Sequence, residues 1–179
     1  MLKLTIPATE MWDGKRFVYT EERTLQLEHS LVSLQKWESK WCKPFLSKEG
    51  LTSEETIDYI RCMTITQNVP PDVYNALTDD NIKAVEEYIN KPMTATWFPE
   101  GKKGGKSSNE AVTAELIYHW MISLQIPSEY RKWHLNQLIT LLRVCSSKNA
   151  PPKKMSRKAT INQYAALNAA RRKQLNTRG

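Results

Sequence analysis

Apolar positions between residues 110 and 145 recur at helical spacing, and this stretch is the centre of the predicted fold. Thr113, Ile117, Trp120, Met121 and Leu124 share one helical face. Beyond Ile126-Pro127, the pattern returns with Tyr130, Trp133, Leu138, Leu141, Leu142 and Cys145, and Leu135 and Ile139 widen it past a single stripe. Proline has no amide hydrogen and Ser128 can cap a helix, so a helical hairpin broken at Pro127 is expected. Trp120 and Trp133, each with roughly 200 Å² of buriable surface, are its expected anchors.

The remaining elements are read around that hairpin. LKLTI at residues 2–6 alternates as a strand, and Phe17-Val18-Tyr19 is the candidate partner, with Asp13-Gly14 as a turn signal between them. From about Arg23 to Trp41, Leu27, Leu31, Leu34 and Trp41 fall at helical steps beside Trp37, and Lys43-Pro44 ends the run. Thr52 and Glu55 form a capping box ahead of a helix that turns Ile57, Ile60 and Met63 inward. Shorter helices are predicted over PPDVYNAL and over DDNIKAVEEYINK, the latter capped at Thr78, and PMTATWFP reads as extended. Ser107 and Glu110 supply a capping box for the central hairpin, and ALNAARRKQL favours a terminal helix over about Ile161–Leu175. The predicted fold is mainly α: a compact helical domain around a central helical hairpin, with a small N-terminal β-hairpin and a basic C-terminal helix. Its parts are a β-hairpin at 1–22, a helical body at 23–147 and a basic linker and helix at 148–179.

Charge sharpens that division. The net charge of the 179 residues is +7, but residues 148–179 hold nine Lys or Arg and no acid. The other residues carry 17 basic and 19 acidic side chains, so the body is nearly neutral. Three cysteines, Cys42, Cys62 and Cys145, give no disulfide framework or CxxC ligand pair and are expected to be buried free thiols. MLKLTIPATE lacks the long apolar region of a signal peptide, and no run approaches the roughly 20 apolar residues of a membrane span. The expectation is a soluble protein without membrane association.

Candidate chemistry is sparse. Gly105-Lys106-Ser107 opens a helix as a phosphate-binding loop would, but that motif needs a glycine at position 100, where Glu100 stands. His29, His119 and His134 fall on separate predicted helices without a second ligand at metal spacing. Cys145 and His134 are too far apart in sequence to read as a nucleophile and base, and no carboxylates pair in an apolar setting. The chain therefore reads as a non-enzyme without metal or cofactor. Its candidate contact residues are aromatic and basic. Trp37, Trp41, Trp120 and Trp133 belong to a set of six tryptophans, the residue type that concentrates binding energy at partner surfaces. Lys153, Lys154, Arg157, Lys158, Arg171, Arg172 and Lys173 can neutralise phosphates or steer an acidic protein, and a solvated tail is the plain alternative.

LEHSLVSLQKWESKW, DYIRCMTI, PMTATWF, AELIYHWM, WHLNQLITLLRVC, NAPPKKMS and ALNAARRKQLNTRG span nearly the whole chain. In these strings it resembles a tail-morphogenesis protein of siphophages and prophages of Gram-positive bacteria. The resemblance implies a tail assembly chaperone, a small helical protein that coats the long tape measure protein until tail-tube subunits replace it. It further implies self-association along that client, residence in the host cytoplasm and absence from the mature virion. A virion structural protein of the tail or connector is the main alternative, and a nucleic-acid-binding module acting through residues 148–179 is the other.

Overall fold

Alternation along the first strand sets the N-terminal structure. In β1 (Leu2–Ile6), Leu4 and Ile6 are buried while Lys3 and Thr5 face solvent. β2 (Thr9–Trp12), β3 (Phe17–Thr20) and β4 (Arg23–Leu27) follow, and β1 pairs antiparallel with β4, whereas β2 pairs with β3. Both ladders keep one register, Leu4 opposite Leu25 and Glu10 opposite Tyr19, so they are two arms of one long hairpin. The arms part at Pro7-Ala8 and Glu21-Glu22, where proline brings no donor to a ladder. The predicted hairpin of residues 1–22 is thus corrected in two ways. Phe17–Tyr19 pairs with residues of β2 rather than with LKLTI, and the hairpin runs on to Leu27. Residues 23–27 are strand because Leu25 and Leu27 alternate with Thr24 and Gln26 and both leucines are buried.

The computed structural model describes residues 1–12, 14–15, 17–47, 50–96, 98, 111–149 and 157–175. Among these the chain is mainly α. α1 (Leu31–Trp41) starts at Ser30, whose hydroxyl accepts from the Ser33 amide while Ser33 Oγ accepts from the Ser30 amide. The helix ends where Cys42 takes a left-handed conformation, its N–H donating to Glu38 O at 2.8 Å. The predicted Thr52–Glu55 box opens α2 (Ser53–Met63), and Thr78 with Asn81 opens α4 (Asp79–Asn90) after the short α3 (Asp72–Asn75). α5 (Ala114–Ser123) is capped by Thr113, which accepts from the Leu116 amide; Ser107 and Glu110, the expected cap, lie outside the described residues.

Ser128 does not open the next α-helix. Residues Ser128–Lys132 form a 3-10 turn that holds Tyr130, Trp133 follows in extended conformation, and α6 (Leu135–Asn149) begins only after His134. The Leu135 amide donates to His29 O at 2.7 Å, so a carbonyl of the turn before α1, far away in sequence, marks the start of α6.

Two buried clusters form the interior. The first joins Leu4, Ile6, Leu25 and Leu27 of the hairpin to Trp37, Tyr59, Ile60, Met63, Val73, Tyr74, Val85 and Tyr88. The second joins Leu31 and Leu34 to Ala114, Ile117 and Met121 of α5 and to Leu135, Leu138 and Leu142 of α6. α1 contributes to both and packs on α2, α5 and the 3-10 turn. The organising element is therefore α1, and the predicted central place of the α5–α6 pair is corrected. Two of the thiols are half-buried and Cys42 is exposed, which corrects the expectation of three buried thiols.

Residues Met1–Ser147 and Lys148–Gly179 are separate compact units. The second contains α7 (Arg157–Leu175), along which Ile161, Tyr164 and Leu167 are exposed together with Arg171 and Arg172. No helix among the described residues is long and apolar enough to cross a membrane.

Candidate functional site

The inner faces of α5 and α6 are spent on the second cluster, and the neighbouring residues of each helix are not. Trp120 on α5, Leu124 just after it and Ile139 on α6 stay half-buried, and with Val112 and Leu142 they line an apolar groove of about 640 Å³. Exposed His119 and Arg143 also line it, together with Leu46 and two serines, and no carboxylate among the described residues does. An apolar groove with a tryptophan, and with Arg143 at its edge, fits an apolar side-chain stripe that carries an acidic residue beside it.

The four tryptophans singled out in the sequence occupy different settings. Trp37 is wholly buried, donates its indole N–H to Glu55 O at 3.0 Å and stacks on Trp41 at 6.1 Å. It presents no surface to a partner, which corrects its place among the contact residues. Trp41 is half-buried, and its Nε1 donates to Asp58 Oδ2 at 3.0 Å. Burial opposes ionisation of Asp58, but hydrogen bonds from Lys40 and Trp41, with the Lys40 and Arg61 charges, hold its carboxyl below the usual range. Glu55 is held low by its hydrogen bond to Lys43 and by the Thr52 amide. The cations around Trp41 are thus committed to local carboxylates. Trp133 is 37% exposed and packs edge-on against Tyr130 at 4.3 Å, apart from the groove residues. Only Trp120 of the four lines the groove.

Of the basic candidates, Arg171 and Arg172 are exposed on α7 and Arg157 and Lys158 belong to its first turn. Lys153 and Lys154 lie outside the described residues, as do the Gly105-Lys106-Ser107 loop, Trp97 and the side chain of Lys173.

A buried polar cluster escaped the sequence reading. His29 lies in the turn between β4 and α1, and His134 directly precedes α6; neither is helical. Their rings stand 5.2 Å apart, edge to face. His29 Nδ1 is 2.6 Å from the Tyr59 hydroxyl, and His134 Nε2 is 3.1 Å from Tyr88 O. Burial, with the charge of His134 beside it, pushes His29 down to about 3, and burial also lowers His134. Both rings are therefore neutral at ordinary pH and knit the turn before α1 to the start of α6. Glu38 does similar work, accepting the Phe45 amide at 2.9 Å and the Ala114 amide at 2.7 Å. Among the described residues no group of three or more His, Cys, Asp and Glu side chains is placed to hold a metal ion. No protein-family model, no curated protein and no solved structure matches this chain.

Proposed function

We propose that the chain is a phage tail assembly chaperone that takes an apolar helical stripe of the tape measure protein into the groove between α5 and α6. The observation that carries this reading is the groove itself, with Trp120, Leu124 and Ile139 only half-buried beside a completed core. Covering such a surface yields about 25 cal/mol per Å² of apolar area removed from water. The sequence resemblance supplies the identity of the client, and Arg143 at the edge suits a client helix with a carboxylate beside its stripe.

Co-expression tests it. The wild-type chain keeps the tape measure protein of the same phage soluble and is recovered with it, and Trp120→Ala weakens that recovery by about 2 kcal/mol, roughly thirtyfold. Trp133→Ala, remote from the groove, leaves it unchanged. Mass spectrometry of finished particles finds the chain missing. Stoichiometric presence in purified tails would overturn the chaperone reading in favour of a virion component. Retention on DNA through Arg171 and Arg172, with affinity falling steeply as salt rises, would favour the nucleic-acid module.

A further inference from the structure

Four cations of the body are paired close to home: Lys40 and Arg61 with Asp58, Lys43 with Glu55, Lys83 with Asp80. Lys36, Arg131 and Lys132 are not among these, and they gather in one place. All three are exposed, and they line one groove of about 530 Å³ bounded by α1, the Met63–Ile65 segment, α5 and the 3-10 turn. None forms an ion pair with a carboxylate among the described residues. Glu28 is the one carboxylate among the described residues lining the groove, and its Oε1 already accepts the Tyr88 hydroxyl at 2.7 Å. Ile65, 52% exposed, and Val32 give the groove an apolar patch.

The opposite charge is gathered on α4. Asp79, Asp80, Glu86 and Glu87 are all exposed, and at 3.6 residues per turn they share one side of the helix. Asp79 and Asp80 sit in the first turn, where the helix dipole favours them. Glu86 and Glu87 sit in the second half, where the dipole gives no such support, and neither forms an ion pair among the described residues. Lys83 lies on the same side, one turn before Glu86 and Glu87, but its ammonium reaches Asp80 at 3.8 Å, and with four carboxylates to one lysine the face stays net acidic.

We propose that copies of this chain associate head to tail, the α4 carboxylates of one copy seating against the Lys36–Arg131–Lys132 groove of the next. The two surfaces share no residue, so the contact is heterologous and leaves a free groove at one end and a free α4 at the other, which propagates an open row. The contact joins three cations and two carboxylates that form no ion pair among the described residues of one copy, and its apolar patch loses water as the charges meet. This inference does not rest on the chaperone reading, since it concerns the chain without a client.

Sedimentation velocity on the full chain over a range of concentrations, at low and high salt, tests it with two variants. K36E/K132E reverses the groove while sparing Arg131, whose guanidinium lies beside the Tyr118 hydroxyl. E86K/E87K reverses the acidic face. Far-UV circular dichroism and a thermal melt establish that both fold. The wild type is expected to associate with rising concentration, on the order of tenfold more weakly at high salt. Each variant alone is expected to stay monomeric, and an equimolar mixture to associate again, because every reversed groove then meets a reversed face. A wild type that stays monomeric at low salt, or a mixture that fails to recover, overturns the proposal. Loss of association in E86K/E87K with none in K36E/K132E also overturns it, and assigns the α4 face to the basic segment 148–179 instead.

Discussion

The buried imidazole of His29 makes the body sensitive to mild acid by an amount that follows from its surroundings. His29 is 1% exposed, and its pKa is pushed from 6.5 down to about 3 by burial and by the neighbouring His134. Below about pH 6.5 the unfolded chain takes up a proton at this position and the folded chain does not. Stability therefore falls as pH drops through that window, and the fall continues until about pH 3, where the folded ring also protonates. Between about pH 7 and pH 5, the proton bound only by the unfolded state costs about 2 kcal/mol. His134, lowered by burial, adds in the same direction. Glu55 and Asp58 are held low and lose their contribution only nearer the ordinary carboxylate range, so they barely enter this interval. Urea denaturation at several pH values reads the slope directly. His29→Gln keeps a neutral polar group against Tyr59 and is expected to lower stability at every pH while removing about 2 kcal/mol of the pH dependence. An NMR titration is expected to find the His29 ring of the wild type still neutral at about pH 5. Equal slopes in wild type and variant, or a His29 ring that titrates near 6.5, would refute the reasoning.

Three further outcomes are expected. Glu38→Ala strands the part-buried Phe45 amide and the buried Ala114 amide and lowers stability by about 3 kcal/mol in chemical denaturation, whereas Glu38→Gln, keeping an acceptor in place, costs about half of that. Trp37→Ala empties a fully buried site and costs about 3–5 kcal/mol, against less than about 1 kcal/mol for the exposed Trp133→Ala; similar losses for both would contradict their packing. A chain ending at Asn149 is expected to melt cooperatively with stability within about 0.5 kcal/mol of the full length, since the described side chains of α7 are exposed; an aggregated product would contradict that.

What the sequence made legible is what short-range chemistry decides. Thr52 with Glu55, and Thr78, mark helix starts because a cap and its partner lie within one turn. The hairpin end was misread for an equally local reason: Leu27, Leu31 and Leu34 happen to fall at helical steps, and they mask the two-residue alternation of Leu25 and Leu27. Pro127-Ser128 has the look of a helix start, yet the next α-helix begins at Leu135, whose amide bonds to a carbonyl more than a hundred residues earlier. Nothing near Leu135 encodes that partner. The meeting of His29 with His134, and of Lys36 with Arg131 and Lys132, is likewise made by the packing of α1 against the 3-10 turn. For the groove, the sequence did carry a trace: Ile139 beyond the main stripe of its helix signals apolar surface in excess of one packing face. Trp37 and Trp41 were indistinguishable by composition, and only the position of α2 separates a sealed indole from a half-open one.

An eleven-residue helix such as α1 is too short to persist alone in water. Its order is borrowed from both sides at once: Leu31 and Leu34 are gripped by α5 and α6, and Trp37 by the hairpin and α2. If either grip loosens, the helix frays and releases the other. Residues 1–147 are therefore expected to come apart in one step rather than layer by layer, and the amides of α1 to be among the last to exchange their hydrogens with solvent. A cosolvent or mutation aimed at the distant α5–α6 side would then register in the fluorescence of Trp37, making that buried ring a reporter for the whole body.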